Sequence, residues 1–211
     1  VRELVTAKGS IYSSGPANYF RINGNASELT EATSQLFLGL RLECAKCHHH
    51  PFESYSQADY YGLAAFFARV GQKGSEEFGL FGGESVIVVR DTGEVKHPRT
   101  GQQMQPTPLA GKPIDHQLDR RIPLARWLTG PDNNLFAESV VNRYVGYLLG
   151  RGLVEPIDDM RSTNPPSNTA LLGALSQTLA DSGFDLKQLM HAIMTSRLYQ
   201  LSSQPTEQNF S

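Results

Sequence analysis

Two cysteines three positions apart, with a histidine directly after the second, form the most chemically loaded stretch of this chain: Cys44-Ala45-Lys46-Cys47-His48. In a helix or helical turn, residues at i, i+3 and i+4 share a face, so both sulfurs and one imidazole would meet the same ligand. This is the spacing by which a haem is attached covalently, with thioethers from Cys44 and Cys47 and His48 as one axial nitrogen on the iron. The remaining donors extend the site in two ways. A second axial ligand is needed for a saturated iron, and His97 is the first choice because it follows a strand and precedes Pro98, with Met104 on the same irregular stretch as the alternative. The competing use of the same residues is a zinc or copper site from Cys44, Cys47, His48 and His50, four donors within seven residues. Structural zinc sites draw their ligands from two separated pairs more often than from one run, which favours haem.

Helices must hold that cluster. Leu29, Ala32, Leu36, Phe37, Leu40 and Cys44 recur at helical steps, with Asn25 and Glu28 as a capping pair, so a helix from Asn25 to Cys44 is expected. After Pro51, Ser56 and Asp59 read as a capping box for a second helix carrying Tyr60, Leu63, Ala64 and Phe67. A glycine-rich stretch from Gly71 to Gly83 follows. Ser85 to Arg90, the turn Asp91-Thr92-Gly93 and Glu94 to His97 then read as a β-hairpin. Pro98, Pro106, Pro108 and Pro113 interrupt regular structure, and a boundary is placed near Gly111. Beyond it, helices are expected from Pro123, from Leu135 to Leu149, from Asn168 to Asp181 after a Ser167 cap, and from Leu186 to Tyr199 after an Asp185 cap. The expected fold is mainly α with a small β-hairpin or sheet. Residues 1–111 make a haem-binding helical region and 112–211 a compact helical module.

Composition narrows the partners. The chain has 211 residues, 39% of them hydrophobic and 19% charged, as a globular protein has. Its 19 basic against 21 acidic residues leave a net charge of −2, without the basic field that holds nucleic acid. No apolar run approaches the length of a membrane span. In the second half, Arg143, Arg151, Glu155, Asp158, Asp159, Arg161 and Asn164 form a dense polar set among Gly and Pro. Such a set could bind a sugar or do acid–base work, although ion pairs in loops are its commoner use. No nucleophile elbow, phosphate-cradling loop or zinc-protease motif occurs.

The runs LGLRLECAKCHHHPF and QADYYGLAAFFARV resemble the cytochrome-type region of planctomycete-type proteins. RIPLARWLTGPDNNLFAESVVNR, GRGLVEPIDDMRSTNPPSN and DLKQLMHAIMTSRLYQLSS resemble the conserved domain, PSD, that accompanies it. The resemblance implies haem c at Cys44, Cys47 and His48, with His50-Pro51 as part of the motif. It also implies an exported protein of which this chain is a central excerpt, with a link to polysaccharide degradation. The resulting expectation is an exported or periplasmic mono-haem module that transfers electrons to a redox partner protein and possesses no membrane span. A haem oxidoreductase of peroxidase-like type with an open iron and a zinc- or copper-binding structural module are the alternatives.

Overall fold

A computed structural model of the chain describes residues 1–74, 83–131, 133–202 and 204. Among them are eight α-helices and one small antiparallel sheet, so the mainly helical expectation holds. Helices α1 (Arg2–Val5), α2 (Asn18–Ile22), α3 (Ala26–Thr33) and α4 (Gln57–Ala64) precede most of the sheet. Strands β1 (Gly9–Ser10), β2 (Val70–Gly74) and β3 (Ser85–Val89) pair in the order β1-β3-β2. Helices α5 (Arg121–Leu128), α6 (Asn134–Leu149), α7 (Thr169–Asp181) and α8 (Leu186–Met194) complete the chain.

The first long helix is shorter than its periodicity suggests. Asn25 caps α3, its side chain accepting from Glu28 N at 3.0 Å, while Glu28 accepts from Gly24 N at 2.7 Å. The helix then widens into a π turn at Ser34–Leu38 and stops at Gly39, whose φ is +66°. Gly39 is required twice over: the left-handed backbone favours it, and a Cβ there would stand 2.9 Å from the Met160 side chain. The wide turn also breaks the 3.6-residue phase, which leaves Leu36 exposed while Phe37 and Leu40 are buried. Cys44 therefore lies beyond the helix, on a separate 3₁₀ turn at Glu43–Lys46.

α4 starts where the capping box placed it. Ser56 N donates to Asp59 at 2.7 Å and Asp59 N to the Ser56 hydroxyl at 3.2 Å, and Tyr60, Leu63 and Ala64 are buried. The hairpin needs correcting. Ser85–Val89 is a strand, but it pairs with β2, Val70 opposite Val89 and Gly74 opposite Ser85, and not with Glu94–His97. β2 is not evident in the sequence, since Val-Gly-Gln-Lys-Gly lacks the alternating apolar pattern of a strand. After Gly93, where a Cβ would meet Ala68 O at 2.5 Å, the chain packs against the end of the α4 region instead of folding back on β3. His97 then closes its own loop, its N–H donating to Gln102 O at 2.8 Å and its carbonyl accepting from Gly101 N at 2.8 Å. The middle of the glycine-rich stretch, 75–82, lies outside the described residues.

One core gathers Phe20, Leu29, Leu38, Tyr60, Leu63, Phe66, Phe67 and Ile87, and α5 adds Leu124, Ala125 and Leu128 to it. Arg121 is fully buried there, held by Asp119 at 2.8 Å and Ala7 O at 2.8 Å with its guanidinium 4.8 Å from the Phe20 ring centre. A second core joins α6, α7 and α8 through Val141, Val145, Leu172, Leu179, Leu189 and Ile193. The caps of these last helices are Asn168, rather than Ser167, and Asp185. α8 ends at Met194, short of Tyr199, and buries Leu189 and Ile193 while Leu186 and Met194 are exposed.

Candidate functional site

The Cys-His turn is bracketed by α3 and α4. The N–H groups of Cys47 and His48 both point at the Cys44 carbonyl, at 3.4 Å each, so the three side chains radiate from a single helical turn. Ala45 is the turn's buried anchor. Behind it the Lys46 carbonyl accepts from Gln57 Nε2 at 2.9 Å and from the Tyr61 hydroxyl at 3.2 Å, both on α4. Lys46 also reaches Glu31 of α3 at 3.3 Å, and Glu31 accepts from the Tyr60 hydroxyl at 2.7 Å. Burial pushes the Tyr60 phenol well above its ordinary pKa, so it remains a proton donor in that bond.

The backbone of the turn is thus fixed while its reactive groups face outward. Cys44 and Cys47 are exposed free thiols. His48 is exposed too, and its Nδ1 lies 2.6 Å from the His49 carbonyl. A carbonyl only accepts, so Nδ1 carries the proton and, in the neutral ring, Nε2 presents a free lone pair. A hydrogen bond of this kind from the second ring nitrogen is what orients most metal-ligating histidines.

The neighbouring histidines differ. His50 is buried, with Nε2 3.0 Å from Arg41 O and Nδ1 accepting from Phe52 N at 3.3 Å, while its own N–H donates to Tyr55 O at 2.9 Å. Both ring nitrogens are spent on holding the loop, so His50 is not brought into one donor set with Cys44, Cys47 and His48. Among the described residues no group of three or more His, Cys, Asp or Glu side chains is arranged to hold a metal ion. His97 shares a cleft of about 350 Å³ with His49, Gln57 and Arg99, and its ring centre is 6.0 Å from that of Tyr61, which touches the Cys-His turn through Lys46. Its Nδ1 accepts from Arg99 N at 3.3 Å, which puts the proton of the neutral ring on Nε2. Met104 is half-buried on the same loop, its N–H donating to Val95 O at 2.9 Å. Of the aromatic residues beside the motif, Tyr60, Phe66 and Phe67 are core, and only Tyr61 stands between core and cleft.

Part of the dense polar set of the second half is a clamp on the motif loop, whereas Arg151 is exposed and Glu155 accepts from Gly152 N at 2.6 Å within its own loop. Asp158 pairs with Arg41 at 2.5 Å and accepts from Gln35; although burial opposes ionisation, these two bonds and the Arg41 charge hold its carboxyl below the ordinary aspartate range. Arg143 donates to Gln35 O at 2.9 Å, and Met160 N to Gly39 O at 2.8 Å. The Arg161 guanidinium stands 4.8 Å over the Phe52 ring, while the N–H of Ser162 donates to Glu53. Asn164 ties the loop to itself through Glu155 O and Asp159 O, 2.9 Å each. The signal for this clamp was present in the sequence as an unusual density of charge among prolines, but charge density does not reveal what it pairs with.

Residues 12–72, which contain the Cys-His turn, match the family model PSCyt2, described as a protein of unknown function (DUF1549). Residues 120–211 match PSD1, also described as a protein of unknown function (DUF1553). Both families are named for planctomycete cytochrome domains. No curated protein and no solved structure matches the chain.

Proposed function

We propose that the chain is a mono-haem c-type electron-transfer module of an exported protein, with haem held by Cys44, Cys47 and His48. The observation that carries this is the His48 ring, whose Nδ1 donation to His49 O leaves Nε2 free on the same turn as two exposed, unpaired thiols. The donor set fits the group: two thiols able to form thioethers and one imidazole in the ligating tautomer, on a backbone turn fixed by Gln57 and Tyr61. When bound, haem supplies an iron that changes oxidation state by one electron. The chain's own contribution is to present the three donors, to keep the turn rigid through the Lys46 carbonyl, and to leave one side of the site open at the protein surface, where a redox partner can approach. Attachment of this kind takes place on the exported side of the bacterial membrane, which is the basis for placing the protein there. Among the described residues no helix is long and apolar enough to cross a membrane.

His97 is the candidate that would hold the iron together with His48, because it lies in the adjoining cleft, with Met104 next in line on the same loop. A specific observation favours the second reading, a haem oxidoreductase with an open iron position. To ligate through Nε2, His97 would have to move its proton to Nδ1 and give up the bond from Arg99 N, whereas His48 needs no such change. The spin state of the oxidised protein separates the two. Low spin, turning high spin in His97→Ala, supports the saturated carrier. A band lost only in Met104→Ala supports the sulfur ligand. A wild-type protein already high spin and quick to bind peroxide overturns the carrier in favour of the enzyme. The link to polysaccharide degradation rests on the family resemblance.

A further inference from the structure

Along the seam of α6 and α7 run two adjoining clefts, of about 370 and 390 Å³, that have Glu138 and Gly173 in common. Glu138 makes no hydrogen bond or ion pair among the described residues, and burial alone pushes its carboxyl above the ordinary glutamate range. A half-buried carboxylate without a partner costs free energy that a solvated surface position would not. Gly173 sits inside α7, where glycine is a poor helix former, yet a Cβ there would meet nothing within 4 Å. Packing does not demand a glycine at this position; a side chain would simply fill the waist of the groove. Ser176, one turn further along α7, is 7% exposed, lines the second cleft, and its hydroxyl has no partner. Asp181 at the end of that cleft uses one oxygen for Gln177 at 2.7 Å. Arg161, which lines the first cleft, is turned to Asp159 at 3.2 Å through one terminal nitrogen, while its Nε is buried without a partner.

We propose that this groove is a binding site for an organic amine, whose ammonium pairs with Glu138 and whose chain lies over Gly173 towards Ser176 and Asp181. The lining decides the class. Among the described residues the charged side chains lining the second cleft are Glu138 and Asp181, which repel an anion. A neutral polyol would bond to them but leave the Glu138 charge uncompensated, whereas an ammonium supplies both charge and N–H donors. The site follows α6 and α7, with its first cleft ending on the 160–166 loop, and it contains none of Cys44, Cys47 and His48.

The test is calorimetric titration of the full chain with putrescine, alongside butanediol as the neutral chain of the same length and succinate as the anion. Saturable binding of putrescine is expected, weakened about tenfold or more by Glu138→Gln and abolished by Gly173→Leu. Affinity should fall as the pH is lowered and Glu138 takes up its proton, at a pH above the ordinary glutamate range because burial raises its pKa. Glu138→Gln keeps the side chain's shape, and a melting temperature no lower than that of wild type separates lost binding from lost folding. Absence of saturable binding, equal putrescine affinity in Glu138→Gln, or butanediol or succinate binding as tightly as putrescine would overturn the proposal.

Discussion

Two loops dense in chemically capable side chains face each other in this protein and are used in opposite ways. The loop around Asp158 and Arg161 has the more charges, and most are consumed: Asp158 by Arg41 and Gln35, Asp159 by Arg161, Asn164 by two carbonyls. The Cys44–His48 turn has fewer polar groups, yet both thiols and His48 Nε2 remain free. The difference teaches that a candidate site is recognised by what its groups are not already bonded to. Charge density in a sequence counts groups, and only the structure counts their partners. Within the motif the same contrast separates His48 from His50, two residues on, whose ring is fully engaged.

The sharpest way to break the comparison is to remove the free groups. Cys44→Ser with Cys47→Ser should abolish covalent haem completely, read as loss of visible absorbance on the polypeptide, while leaving the melting temperature of the apoprotein unchanged because both thiols are exposed. His50→Ala should do the reverse. It removes the part-buried bonds that the His50 ring makes to Arg41 O and Phe52 N and should destabilise the protein by about 0.5–1.5 kcal/mol in denaturant titration. Asp158→Asn removes one charge from the clamp, and because Arg41 is largely exposed the cost should be only about 0.5–1 kcal/mol. The pH dependence sharpens this. The Asp158 carboxyl is held below its unfolded value of about 3.9, so its contribution is fully present above that pH and is lost as pH falls through the lower folded value. Acid melts of wild type should show this loss and Asp158→Asn should lack it. Smallest is Arg161→Lys, which trades the planar guanidinium over Phe52 for a point charge and should cost about 0.5 kcal/mol.

Much of this was legible beforehand for physical reasons. Asn25, Ser56 and Asp185 announced their helices because a cap is a local event, one side chain on a backbone N–H two or three residues away. The Cys-His spacing was legible because a single turn of backbone creates it. What stayed hidden depends on distant residues. The stop at Gly39 answers to Met160, 121 positions later, and β2 exists because β3 pairs with it. The clamp between the 35–53 region and the 155–164 loop is likewise long-range, and Glu138 and Gly173 read as ordinary helix residues until the groove between them is seen.

The most direct test of the central claim is a visible spectrum of protein produced with the export and haem-attachment machinery, followed by extraction in acidified acetone. The account predicts that the colour stays with the polypeptide, through thioethers at Cys44 and Cys47. Colour that leaves with the solvent, or a protein that never acquires haem under those conditions, would contradict it.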